Sequence, residues 1–120
     1  HRVLDIEVKL MKTFEEGAEG FCYRGIDNRN FHIEIDHRLS RTVSKEEFIE
    51  VVIHEMVHVW QGVTNRMVDK LKDGSYKQMW MCRDGKYRNY TKTKYEKQPW
   101  ETEAYGMQGP LTKHYMEQEV

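Results

Sequence analysis

The stretch from Ser44 to Gly62 constrains this chain more than any other. Ser44-Lys45-Glu46-Glu47 is a capping box, with Ser44 as N-cap and Glu47 three positions on. Gly62 is a natural C-terminal stop. At about 100° per residue, Phe48, Ile49, Val52, Ile53, Met56, Val57, Val59 and Trp60 fall on one half of the helical wheel. Glu50, Val51, His54, Glu55, His58 and Gln61 fall on the other. The spacing therefore predicts a helix whose first half-surface is core. Its second half-surface is wet and carries two imidazoles and a carboxylate.

Shorter elements surround it. Ile6, Val8 and Leu10 alternate with Asp5, Glu7 and Lys9, the period of a half-buried strand. Gly17 and Gly20 punctuate the next stretch, and Phe21-Cys22-Tyr23-Arg24 reads as a short strand closed by Gly25. Asp27-Asn28-Arg29-Asn30 is a turn cluster. Phe31 to Asp36 is the clearest strand, with Phe31, Ile33 and Ile35 on one face and His32, Glu34 and Asp36 on the other.

Residues 70–97 hold nine Lys/Arg against three Asp/Glu, a local charge of +6, together with Tyr76, Trp80, Tyr87, Tyr90 and Tyr95. Asp84-Gly85 there signals a β-hairpin. A basic, aromatic hairpin suits single-stranded nucleic acid, and equally a solvated hairpin whose rings pack on the domain. Pro99 suits the first position of a last helix, which Gly109-Pro110 should break or kink. The whole reads as one α+β domain over residues 1–120.

Composition bounds the remaining possibilities. A net charge of -1, with 38% hydrophobic and 32% charged residues, is a globular balance and argues against whole-surface nucleic-acid binding. No apolar run approaches the roughly 20 residues of a membrane span. The first residues, from His1, do not resemble a signal peptide, and the absence of an initiating Met suggests a trimmed or excised chain. A cytoplasmic location is expected. Cys22 and Cys82 could form one bridge, but two free thiols are the simpler expectation. The seven Met residues are expected to fill gaps in the core.

The chemistry lies in His54-Glu55-Met56-Val57-His58, an H-E-x-x-H pattern. Residues four apart on a helix stack about 5–6 Å from each other, so both imidazoles can reach one Zn²⁺. Glu55 can reach a water on that ion and act as general base. A catalytic zinc site takes a third protein ligand and leaves one position open. Candidates downstream are Glu96, Glu101, Glu103 and His114, and more remotely Asp69, Asp73 or Asp84. Glu103 is preferred: it sits one turn into the last helix and precedes small Ala104, which permits close approach. Glu101 reads as a first-turn residue that stabilises the helix end. An oxyanion stabiliser is also expected, from among Tyr95, Tyr105, His114 and Tyr115.

Ile53 to Gln61 resembles the active-site helix of SprT-like metallopeptidases, and Pro99 to Tyr105 resembles the E-x-E-A element of ImmA/IrrE-type and related phage-encoded peptidases. The second resemblance implies Glu103 as third ligand. Between His58 and His114 there is no histidine, so a third histidine of the SprT-like kind has no counterpart, and a glutamate-type zincin is the more consistent form. The resemblance implies a minimal zincin fold: a small twisted sheet packed on the active-site helix, with a β-hairpin and a C-terminal helix. It implies an edge strand that pairs with an extended peptide or protein substrate. Phe31–Asp36 fits that role, unless it is an interior strand. The implied activity is zinc-dependent peptide hydrolysis, with His54, His58 and Glu103 on the metal and Glu55 as base. The alternatives are a zincin-fold binding module with little turnover and a DNA-associated protease or adaptor.

Overall fold

The computed structural model describes residues 4–12, 18–25 and 29–118. The expectations placed on His1–Val3, on Gly17 and on the first half of the turn cluster (Asp27, Asn28) lie outside them. The chain is an α+β fold with two three-stranded sheets and a long C-terminal helix.

The first sheet contains β1 (Asp5–Met11), β2 (Gly20–Arg24) and β3 (Asn30–Asp36), in the order β1-β3-β2. β3 is central, parallel to β1 and antiparallel to β2. This corrects the reading of Phe31–Asp36 as the edge. β3 is hydrogen-bonded to a strand on each side, and its Phe31, Ile33 and Ile35 are buried under α2. The edge beside the helix cleft is β2. β1, expected to be half-buried, is exposed along nearly its whole length.

A short helix, α1 (Leu39–Thr42), leads into α2 (Lys45–Val63). The Ser44 cap forms as anticipated, with the Glu47 backbone N–H donating to Ser44 Oγ at 3.1 Å. The C-terminal stop does not fall at Gly62. The helix runs on to Val63, and Asn65 takes the left-handed conformation (φ 58°) that ends it. Gly62 serves a different purpose: a Cβ there would lie 3.0 Å from the Phe31 ring, so its absence lets α2 settle onto β3.

Val59, with Phe48, Val51, Val52 and Val63, packs on Phe31, Ile33, Ile35 and Leu39 to form the first core cluster. The two halves of the α2 wheel are not divided as expected. His54, Glu55 and Gln61 are buried (8%, 5% and 0% exposed), whereas Met56 and Trp60 stand out at 37% and 41%. The cause is the last helix, α3 (Pro99–Gln118), which covers the histidine side of α2. A single amphipathic wheel cannot anticipate burial against two neighbours on different sides.

The second sheet is a meander of β4 (Met67–Lys72), β5 (Ser75–Met81) and β6 (Tyr87–Asn89). Asp73 (φ 53°) and Gly74 (φ 78°) both take the left-handed conformation that a two-residue hairpin turn demands. The second turn is a three-residue loop around Asp84, with Gly85 at φ 80°. Met67, Trp80 and Trp100 form a second cluster that fixes the start of α3. The Arg66 guanidinium lies over both Trp60 and Trp80, 5.2 Å from each ring.

α3 continues through Gly109-Pro110 instead of breaking. Pro110 cannot donate to the carbonyl of residue 106, but Gly106, Gly109 and Pro110 are all exposed, and a Cβ at either glycine would meet open space. Solvent can satisfy the orphaned carbonyl there. Cys22 and Cys82 are both free thiols. Among the described residues no helix is long and apolar enough to cross a membrane.

Candidate metal centre

α2 presents His54 and His58 one turn apart, their rings 4.9 Å between centroids and nearly perpendicular. α3 lies across them and brings a carboxylate between the two. Glu101 Oε1 is 2.9 Å from His54 Nε2 and 3.2 Å from His58 Nε2. One ligand atom from each of these residues lies within 4.8 Å of the other two.

The far side of each imidazole settles what the near side offers. His54 Nδ1 is 2.6 Å from Gln108 Oε1, and His58 Nδ1 is 2.8 Å from Gln61 Oε1. The amides cannot be turned round, because their nitrogens are committed. Gln108 Nε2 donates to Glu50 Oε1 at 2.7 Å. Gln61 Nε2 donates to the Trp100 carbonyl at 3.0 Å and to Glu103 Oε1 at 3.1 Å. Each Nδ1 must therefore carry the proton. In the neutral imidazoles each Nε2 then points a lone pair at Glu101 Oε1, itself an acceptor. Three acceptors facing one point require a cation between them: protons without metal, or a metal ion.

The donor set fits zinc chemistry: two imidazole nitrogens and one carboxylate oxygen, with acceptors behind both rings. Without metal, burial alone would raise the Glu101 carboxyl, but hydrogen bonds from His54 and His58 outweigh it and hold the group at about 2. For His54, burial favours the neutral ring, but Glu101 and Gln108, with the charge of Glu55, hold its pKa above the ordinary value.

The carboxylate chosen from sequence, Glu103, is not with the histidines. It forms an ion pair with the Arg66 guanidinium, its Oε1 3.1 Å from Nε, and accepts from Gln61. The assignment is corrected to Glu101 on geometry. Two positions apart on a helix is about 200°, so the two side chains diverge. The turn that faces the histidines starts at Glu101 and returns at Gln108, seven residues on. His114 and Glu96 are exposed, and His32 pairs with Glu7 and Glu34.

Glu55 is where the motif places it, but buried. Its carboxylate lies against β2, where a Cβ on Gly20 would come within 3.1 Å of Glu55 Oε2. Burial raises its pKa, with the His58 and His54 charges opposing and the Glu101 charge adding. It opens on a cleft of about 710 Å³ shared with Gly20, Phe21, Cys22, His54 and Tyr105. Of the candidate oxyanion donors, Tyr95 and Tyr105 are at the site, and Tyr115 is not in its lining. Tyr95 Oη donates to Glu101 Oε1 at 3.3 Å and lies 3.0 Å from Tyr105 Oη. Burial pushes the Tyr95 phenol well above its usual value, so it stays a donor.

No family model, curated protein or solved structure matches this chain. The site's chemistry is argued from its geometry alone. Sequence reading missed Gln61, Gln108 and Gly20 as parts of it. Gln61 could have been found as the i+3 neighbour of His58, and Gln108 as the i+7 neighbour of Glu101. Gly20 carries no such signal.

Proposed function

We propose that the chain is a zinc-dependent metallopeptidase of minimal zincin type, with His54, His58 and Glu101 as ligands and Glu55 as general base. The observation that carries this reading is the convergence of the two Nε2 atoms and Glu101 Oε1, with both Nδ1 protons held by Gln61 and Gln108. Zinc held by these three residues would supply Lewis acidity that makes a water a nucleophile at neutral pH. Glu55 would serve as the base that takes that water's proton and returns it to the leaving amine. The buried setting that raises its pKa suits a group that must both take and return a proton. Tyr95 and Tyr105 place hydroxyls beside the same cleft, available to a developing oxyanion.

The substrate class comes from β2. The Asp36 N–H donates to Glu19 O and the Gly25 N–H to Asn30 O, so the odd-numbered residues of this strand face β3. By alternation, the backbone groups of Gly20, Cys22 and Arg24 face outward along the cleft. An extended peptide can pair there as an added strand, which aligns a scissile carbonyl beside Glu55.

The test is metal analysis with a hydrolysis assay. Purified chain should carry about one zinc, and Glu55→Gln should keep the metal while cleavage falls by about 10²–10⁴-fold. A chain that takes up zinc but cleaves no peptide would favour the binding-module reading. Full activity in the Gln variant would remove Glu55 from the mechanism.

A further inference from the structure

The opposite edge of the first sheet points away from the cleft and has its own pattern. The Asp5 N–H donates to Arg29 O, and Met11 O accepts from the His37 N–H, so the odd-numbered residues of β1 turn their backbone groups toward β3. Ile6, Val8 and Leu10 therefore aim N–H and C=O groups outward along the edge. Their side chains are 39%, 52% and 51% exposed. The register opposite Phe31, Ile33 and Ile35 puts them on the face of the sheet that α2 covers, beyond the helix's reach. Among the described residues no strand pairs with this edge of β1, which carries no proline, glycine or bulge; its charged residues are Asp5, Glu7 and Lys9. Met56 and Trp60 on α2 are also exposed, at 37% and 41%.

We propose that β1 is a dimer interface, in which a second copy of this chain pairs antiparallel about a two-fold axis through Val8. The charges select the copy and the register. Antiparallel pairing requires outward-facing residues opposite one another, so the axis must pass through a residue. Through Val8, Ile6 lies opposite Leu10, and Glu7 lies opposite Lys9 twice. All seven residues of β1 are paired. An axis through Glu7 or Lys9 sets like charges against each other. Through Ile6 it sets Asp5 against Glu7, and through Leu10 it leaves half the strand unpaired. Glu7 approaches His32 at 3.1 Å, but at 71% side-chain exposure it remains free to meet a Lys9 across the axis. The result is a continuous six-stranded sheet with both α2 helices on one face. The two apolar stripes merge into a strip between them, and the two clefts lie at the outer edges.

The test is the mass of the 120-residue chain in solution by sedimentation or light scattering. The expected mass is twice 14.5 kDa at concentrations up to about 100 μM, where interfaces of ordinary size are populated. Glu7→Lys alone and Lys9→Glu alone each place like charges opposite twice, and each should raise the dissociation constant by about tenfold. Mixed together, the two variants should form a heterodimer as tight as the wild type, because opposite charges then face each other at both crossings of the axis. Both substitutions are on exposed positions, so an unchanged circular dichroism spectrum reports that each variant is folded. A monomeric wild-type chain overturns the proposal. So does a dimer that both single variants leave unchanged, or a mixture no tighter than its components.

Discussion

Replacing Glu101 and Glu103 in turn by glutamine separates two carboxylates that sequence alone confuses. In Glu101→Gln the charged oxygen 2.9 and 3.2 Å from the two Nε2 atoms becomes a neutral amide. Changing even a group behind a ligand costs about 10–100-fold in metal affinity, so loss of the ligand itself should cost at least about 100-fold. At a fixed excess of zinc, a 100-fold weaker site forfeits about 2.7 kcal/mol of ligand stabilisation. For a domain of this size that is about 10 °C of the zinc-induced rise in melting temperature. Glu103→Gln removes the partner of Arg66, whose side chain is 37% exposed, so its ion pair is worth about 1 kcal/mol after solvent screening. That variant should melt a few degrees lower with and without zinc, and the zinc-induced rise should be unchanged. The assay is thermal denaturation of each variant, chelated and zinc-loaded, beside a chelator competition titration. If the rise survives in Glu101→Gln and vanishes in Glu103→Gln, the assignment of the third ligand is refuted.

The same geometry sets the pH response. In the chelated chain, the depressed Glu101 carboxyl contributes stability that is complete above its ordinary 4.5 and is lost as the pH falls toward 2. The raised His54 contributes below its ordinary 6.5 and is lost as the pH climbs through the folded value. Metal-free protein should therefore be most stable between the ordinary values of 4.5 and 6.5 and melt progressively lower as the pH rises above 6.5, by calorimetry. A rising melting temperature over that range would contradict the pairing. Gly20→Ala should cost about 1–3 kcal/mol in denaturant unfolding, because the new Cβ meets Glu55 Oε2 and Ile35 Cδ1 at 3.1 Å. A neutral result would mean that β2 stands farther from α2. Burial first, with the Glu55 and Glu101 charges adding and Arg24 opposing, pushes the Cys22 thiol up to about 12 from 9.0. Its alkylation at about pH 8 should be about a thousandfold slower than in the denatured chain, and equal rates would sink that account.

The histidine helix, its Ser44 cap and a hairpin around Asp84-Gly85 are legible in the residues because each depends on local chemistry, although the loop there has three residues and the two-residue turn is at Asp73-Gly74. So is the strand Phe31–Asp36. What escapes depends on which surfaces meet. The wheel of α2 shows one apolar arc, yet the helix is covered by β2 and β3 on one side and by α3 on another. The polar arc thus becomes an interior wall, and Met56 and Trp60 are left outside. Glu101 and Glu103 have the same chemistry, and only the docking angle of α3 distinguishes them. Ala104 does mark that close approach, being fully buried against α2's side of the helix, but the carboxylate it introduces is the one three residues before it. Pro110 would break a helix shut off from water, and its exposure, which makes the orphaned carbonyl cheap, is not written in its neighbours. The alternation in β1 identifies a strand correctly and misjudges its burial, because period two reports only that one face is apolar.

The unbroken run of α3 has a mechanical result. Glu101 grips the histidines from one turn, Gln108 steadies His54 from two turns later, and Trp100 anchors the same rod to the second sheet. No flexible loop intervenes, so the rod cannot swing away without dismantling the whole constellation. If the centre takes zinc as proposed, loading it and clamping the C-terminal segment would be a single event, and stripping the ion should loosen amide protons along 99–118 before it disturbs the sheet beneath α2.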